Sequence, residues 1–404
     1  MDKKKILLAF SGGLDTSAIV PWLMETYKAE VIAYCSDLGN APDAEYLSQW
    51  AKKLGATELI FEDLKEKFAQ DFAFPALRTG ALYQDDYLLG TALARPLISE
   101  RMAFYAKKLG ASAIAHGATG KGNDQLRFEK SWAYLVPDIE VIAPWKIWNF
   151  TGRTELIEYL ASKGIQFVNE EKKYSIDVNL LHRSCEGGIL EAVEKPYECS
   201  EIYDWVATPA ALADTQPVDL TLEFKDGFPV ALNGEKQSPA VLLENLNKIA
   251  GKNGIGVLDL VEERTIGIKS RGVYETPGGT LIHFAIKQLK HLVWDRQLLT
   301  MARTMAETYG ELVYDGLWHC DTKFCIDAFF DKAAESLTGE ISIRIQYGKM
   351  VVTGRKSSYS LFNSSAVSFE GDPEGLLAAA KGYSKVTSYS QKLLGKRGLN
   401  KCQL

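Results

Sequence analysis

Residues 5–10 (KILLAF) are an unbroken apolar run between charged residues and a pair of glycines, the pattern of a strand buried on both faces of a parallel sheet. An amphipathic stretch at 18–27 predicts a helix, 30–34 (EVIAY) a second strand, and 43–54 a helix stopped by Gly55. A third strand follows at 56–61, then a helix at 96–109 closed by Gly110, a fourth strand at 111–116 (ASAIAH) and a fifth at 140–143. Strands alternating with helices imply right-handed crossovers and an open, doubly wound α/β sheet. Ligands of such sheets collect beyond the carboxyl ends of the strands. After a helix-rich stretch at 152–164 the pattern changes. Residues 219–224 alternate as a strand, Lys225-Asp226-Gly227 turn the chain, 239–249 read as a helix, and strands are expected near 256–261, 280–286 and 341–345. This second part reads as an α+β domain. The expected divisions are 1–168, 169–369 and a helical arm at 370–404.

Composition narrows the class. Of 404 residues, 46% are hydrophobic and 24% charged, which excludes a disordered or collagen-like chain. The net charge of −6 is unevenly spread: residues 380–404 hold Lys381, Lys385, Lys392, Lys396, Arg397 and Lys401 and no acid, leaving the rest at −12. That acidic body argues against a nucleic-acid partner. Leu393, Leu394 and Leu399 make the basic tail an arm expected to lie on the acidic surface of a sister subunit. The first apolar run is too short for a signal peptide, and nowhere do 18 uncharged apolar residues follow one another, so no membrane is expected and the cytoplasm is. Six sparse cysteines (Cys35, Cys185, Cys199, Cys320, Cys325, Cys402) fit free thiols in a reducing compartment. Cys320 and Cys325 beside His319 make half a metal site with no second half.

Between the first strand and its helix lies Ser11-Gly12-Gly13-Leu14-Asp15-Thr16-Ser17. Paired glycines let successive N–H groups converge on an anion, the helix start adds partial positive charge, and Ser11, Thr16 and Ser17 add hydroxyls. The loop is neither GxxxxGK[ST] nor GxGxxG. An acid within a polyphosphate loop is repulsive unless a cation intervenes, so Asp15 points to Mg²⁺. His116 closes a strand at the same edge and reads as a structural histidine rather than a proton shuttle.

SGGLDTS resembles the pyrophosphate loop of the N-type ATP pyrophosphatases, which split ATP into AMP and pyrophosphate. A second motif is more specific: Gly117-Ala118-Thr119-Gly120-Lys121-Gly122-Asn123-Asp124-Gln125, then Arg127-Phe128. Together with Tyr87-Leu88-Leu89-Gly90-Thr91, Tyr174-Ser175-Ile176-Asp177 and Lys269-Ser270-Arg271-Gly272-Val273-Tyr274-Glu275-Thr276-Pro277, the chain resembles the argininosuccinate synthase family from its first strand to about residue 354.

The resemblance implies an adenine nucleotide α-hydrolase-like first domain, a synthetase domain, a homotetramer, and ATP-dependent joining of citrulline to aspartate. By the same resemblance Ala9, Phe10, Ser11, Gly12, Gly13, Leu14, Asp15, Thr16 and Ser17 bind ATP. Ser36 then lies near the adenosine, and Gly117 lets the nucleotide approach. Thr119, Asn123 and Asp124 match the aspartate-binding set. Tyr87, Thr91, Asn123, Arg127, Ser175, Ser184, Glu262 and Tyr274 match the citrulline site, with Glu262 balancing an α-ammonium. Relatives often carry a hydroxyl where this chain has Ala92, so either the Ala92 backbone or Thr91 serves. On residues alone, Glu262 and Arg264 also read as a surface salt bridge.

Two other functions are compatible with such a loop. A tRNA-thiolating pyrophosphatase wants a basic RNA surface and reactive cysteines near the loop. A non-catalytic ATP sensor has no use for a second domain with amino-acid-binding motifs.

Overall fold

The computed structural model describes residues 4–120, 122–168, 173–213, 215–368, 371–372 and 374–397. Lys121, Leu399, Lys401 and Cys402 lie outside the described residues. Five parallel strands, β1 (Lys5–Ala9), β2 (Glu30–Asp37), β3 (Glu58–Asp63), β4 (Ala113–Ala115) and β5 (Glu140–Ile142), form a sheet in the order β3-β2-β1-β4-β5. Central β1 pairs Ile6 with Val31 on one side and with Ala113 on the other. Its alternation sorts the core into two layers. Ile6 and Leu8 pack with the helices Leu14–Tyr27, Ala44–Leu54 and Arg153–Ser162, while Leu7 packs with Gly90–Leu109 and Asn123–Leu135. Strand order runs outward in opposite directions from β1, so the crevice between the carboxyl ends of β1 and β4 is the switch point where a ligand fits.

Two antiparallel sheets follow. Their strands are β6 (Ser175–Val178), β7 (Arg183–Glu186), β8 (Val218–Lys225), β9 (Phe228–Leu232), β10 (Glu235–Lys236), β11 (Val257–Glu263), β12 (Lys269–Glu275), β13 (Gly339–Gln346) and β14 (Lys349–Lys356). One sheet runs β11-β12-β7-β6 and the other β10-β9-β8-β13-β14. The first compact unit spans Met1–Tyr359, so the parallel and antiparallel parts pack as one body.

Residues 280–286, expected as a strand, lie inside the helix Pro277–Val293. The apolar run fits a buried helix equally well: Leu281, Ile282, Ala285, Ile286 and Leu289 are buried at helical spacing, and Pro277 sits in the first turn, where its missing N–H is no loss. The helix expected from residue 96 begins instead at Gly90 and carries Pro96 within it.

The second unit, Ser360–Leu404, holds the helices Leu376–Thr387 and Tyr389–Arg397. Their residues are all exposed, Leu377, Val386 and Leu394 among them. Among the described residues no helix is long and apolar enough to cross a membrane.

Candidate active site

β1 ends at Ala9, and the chain turns through Gly12 and Gly13 into the helix Leu14–Tyr27. Gly12 has φ 75°, a conformation that favours glycine, and a Cβ there would push against Leu47 Cδ2 at 2.6 Å. Gly13 caps the helix without a side-chain bond, leaving first-turn N–H groups free of intrahelical acceptors. Thr16 Oγ1 lies 3.2 Å from Ser11 Oγ and donates to Gly13 O at 3.2 Å. These residues open onto a cavity of about 520 Å³ at the switch point. Ala9, Phe10, Ser11, Gly13, Asp15, Thr16, Ser36 and Gly117 line it. Gly12, Leu14 and Ser17 do not. Leu14 is buried in the core, and the Ser17 hydroxyl donates to Gly12 O and accepts from Trp50 Nε1 at 2.8 Å, tying the loop to the helix behind it.

Burial pushes the Asp15 carboxyl above its ordinary value, with Arg153 opposing. A Cβ on Gly117 would meet Thr16 Cγ2 at 3.0 Å and Ile19 Cδ1 at 3.3 Å, so that glycine serves close packing against the loop helix. His116 accepts the Ala118 N–H at Nδ1 (3.1 Å), and its Nε2 faces Glu129 Oε1 at 3.5 Å. His116 and Lys146 hold the Glu129 carboxyl down at about 2. The histidine therefore braces the 116–118 turn.

A second cavity of about 250 Å³ adjoins the first. Four separated stretches meet in it: Tyr87 and Thr91; Thr119, Asn123, Asp124 and Arg127; Ser175 and Ser184; Glu262 and Tyr274. Ala92 is buried in the core, so the hydroxyl on this wall belongs to Thr91. Asn123 donates from Nδ2 to the Tyr314 hydroxyl (2.8 Å) and accepts the Thr265 N–H at Oδ1 (3.0 Å), which fixes its amide orientation. Glu262 is 4% exposed; Tyr274 donates to its Oε1 at 3.1 Å, while Oε2 is buried with no partner. It is therefore no surface salt bridge, and Arg264 instead pairs with Glu186 at 2.7 Å. Burial raises the Glu186 carboxyl against that arginine.

The two cavities share Ala118, Asp124 and Asp177. Asp124 Oδ1 accepts from Arg127 Nη1 at 3.1 Å, and Oδ2 from Arg95 Nη2 at 2.7 Å. Burial alone would raise its pKa, but the two guanidiniums hold it below the usual carboxylate range. Arg127 also donates from Nε to Tyr314 O at 2.9 Å and lies over the Tyr314 ring. Thr91 Oγ1 stands 2.8 Å from His182 Nε2 and donates to Asp177 Oδ2 at 3.0 Å. The distance suggests a hydroxyl–imidazole dyad. The hydroxyl proton, however, goes to Asp177, and burial pushes His182 down to about 4, too weak a base to activate it.

Arg95, His182, Glu186 and Tyr314 were absent from the sequence reading. Arg95 follows Thr91 by four residues on one helix, and His182 precedes Ser184 by two, so each shares a face with a residue the motifs did mark. Tyr314, at the end of the helix Arg296–Tyr314, had no such neighbour. Among the described residues no group of three or more His, Cys, Asp or Glu side chains is arranged to hold a metal ion.

Comparison with known proteins agrees along nearly the whole chain. Residues 5–166 match the arginosuccinate synthase N-terminal HUP domain, and residues 174–394 the arginosuccinate synthase C-terminal domain. An argininosuccinate synthase of Caldanaerobacter subterraneus is 46% identical over 96% of this chain and 95% of its own length. That of Desulfitobacterium hafniense is 47% identical over 91% and 92%. That of Clostridium tetani is 43% identical over 97% and 98%.

Proposed function

The chain belongs to the argininosuccinate synthase family, and on that premise we propose that the cleft joins L-citrulline to L-aspartate with ATP, releasing AMP and pyrophosphate. It is a ligase. A ureido group is a poor electrophile because resonance stabilises it, so its oxygen must first become a leaving group. The ureido oxygen attacks the α-phosphorus to give a citrulline–adenylate, and the aspartate amine then displaces AMP. Both nucleophiles are substrates, so the protein's part is positioning and charge stabilisation.

In this reading the loop of Ser11, Gly13, Asp15 and Thr16 takes the phosphates, with Ser36 toward the adenosine. Glu262 receives the citrulline ammonium, and Arg127 a carboxylate or the ureido oxygen. Tyr87, Thr91, Ser175, Ser184 and Tyr274 orient a ureido group that offers no charge to grip. Thr119, Asn123 and Asp124 receive aspartate. Asp124 already accepts from two arginines, yet a carboxylate has about four acceptor sites, so an ammonium can join them.

Mg²⁺ enters as a companion of the ATP phosphates. Asp15, in the wall of the nucleotide cavity beside the loop, is the residue that would hold an ion bound mainly by phosphate oxygens and water. Such an ion would supply positive charge against the phosphates and so favour the departure of pyrophosphate. The reading also includes a homotetramer formed through the exposed apolar and basic faces of Leu376–Thr387 and Tyr389–Arg397, working in the cytoplasm. No observation favours the tRNA-thiolating or sensor readings.

The observation that carries the proposal is the convergence of four distant motif stretches on one small cavity, sharing Asp124 and Asp177 with the cavity over the phosphate loop. The test is pyrophosphate release with each reactant omitted in turn. Sustained release should need ATP, citrulline and aspartate together; release indifferent to citrulline would refute the reading.

A further inference from the structure

Arg95 has no role in the reading above. It stands on the helix Gly90–Leu109, four residues after Thr91, and among the described residues lining the nucleotide cavity it is the one cationic side chain. Its Nη2 makes two ion pairs, to Asp124 Oδ2 at 2.7 Å and to Asp177 Oδ2 at 3.0 Å. These aspartates line both cavities, so the guanidinium sits where nucleotide and amino acid meet. Its Nε–H is buried without an acceptor, a donor left unused. Asp177 has a second partner in Thr91 Oγ1 and is the more exposed of the two acids (38% against 30%), so it can release the arginine without being stranded.

In the proposed reaction the α-phosphorus must lie within reach of the amino-acid cavity, because the ureido oxygen attacks it, and the two cavities meet at Asp124 and Asp177. In the first step the ureido oxygen forms a bond to the α-phosphorus, the bond from that phosphorus to the β-bridging oxygen breaks, and pyrophosphate leaves with the electron pair. In the second, the aspartate nitrogen, having lost one proton, bonds to the ureido carbon. The carbon–oxygen bond breaks, AMP leaves with that pair and the former ureido oxygen, and the nitrogen loses a second proton to give a guanidinium. Negative charge on the α-phosphoryl oxygens shifts in both steps. The phosphate loop lines only the nucleotide cavity, and Arg127 and Arg264 line only the amino-acid cavity.

Resting on the function proposed above, we propose that Arg95 is a catalytic residue: it turns from Asp177 to the non-bridging oxygens of the α-phosphoryl group and stabilises the charge that moves there in both steps. A guanidinium fork matches two phosphoryl oxygens at once, while Asp124 keeps one Nη in place. Asp177 is the resting-state counterion, and it keeps its bond from Thr91 when Arg95 departs.

The test uses the full-length protein, its Arg95→Ala and Arg95→Lys variants, and citrulline-dependent ATP–pyrophosphate exchange without aspartate. It is repeated with the two diastereomers of ATP that carry sulfur at a non-bridging α-oxygen. Arg95→Ala should lower the exchange kcat by about 10²–10³-fold while KM for ATP and citrulline moves by less than about threefold. Arg95→Lys should recover only part of the loss, because an ammonium is a point charge. Wild type should favour one sulfur diastereomer, and both variants should lose that preference, which a merely structural ion pair would leave intact. A variant kcat within about threefold of wild type, or a loss confined to KM with the preference retained, overturns the proposal. Should Arg95→Ala fail to fold, the diastereomer preference of Arg95→Lys decides. Wild type lacking citrulline-dependent exchange would instead defeat the functional reading on which the proposal rests.

Discussion

Glu262→Gln separates substrate binding from stability, because the carboxylate is poorly satisfied in the free protein. Glu262 is 4% exposed, with one oxygen taken by the Tyr274 hydroxyl at 3.1 Å and the other buried without a partner. A ligand ammonium entering the cavity would supply the missing donor. A charge-assisted hydrogen bond is worth about 1.5–3 kcal/mol. At about 1.4 kcal/mol per tenfold, its loss should raise KM for citrulline by about 10–150-fold. KM for ATP should stay put, and kcat should change by less than about threefold, since the ammonium is remote from the reacting oxygen. The assay is initial pyrophosphate release against citrulline, with ATP and aspartate saturating. Without substrates the same change removes a buried, half-satisfied charge, so thermal unfolding should shift upward by a degree or more. An unchanged citrulline KM, or a variant that melts lower than wild type, would contradict this role for Glu262.

Three further outcomes are expected. His182 and His283 are both pushed by burial to about 4, against about 6.5 for a free histidine. Between those values the unfolded chain binds protons that the folded chain does not. Stability should therefore fall as pH drops through that window, by at most about 1.4 kcal/mol per pH unit for each histidine. Urea unfolding at about pH 7 and about pH 5 should show a smaller loss for His182→Gln than for wild type. Wholly buried Glu275 accepts Arg183 Nη1 at 2.7 Å and the N–H groups of Asp204, Trp205 and Val206. Arg183→Met strands that carboxylate and should cost about 3–5 kcal/mol in denaturant unfolding. Deleting residues 376–404 should lower the particle mass by light scattering; an unchanged tetramer would refute the assembly role given to the two exposed helices.

The parallel sheet was legible because its strands are short, largely apolar runs, with glycines after β1 and on both sides of β4, and β1 is apolar on both faces. Residues 280–286 were not, since a continuous apolar run has no alternation to distinguish a strand from a buried helix. Pro96 looked like a helix start, but the helix tolerates it seven residues in. Within the phosphate loop, nothing local separates Ser17 from Thr16. The direction of Ser17 is decided by Trp50, 33 residues away. The amino-acid residues emerged from motif order, while Arg95 and Tyr314 stayed hidden because single residues on long helices carry no pattern of their own. Their importance comes from Asp124, Asp177 and Asn123, which the fold brings to them.

Citrulline's ureido oxygen must become bonded to the α-phosphorus before the aspartate amine attacks. Citrulline labelled with ¹⁸O at the ureido position tests it in one turnover by mass spectrometry. All of the label should appear in the phosphate of AMP and none in pyrophosphate or water. Label released to solvent, or AMP without it, would mean that the carbonyl was activated by some route other than the phosphate cradle.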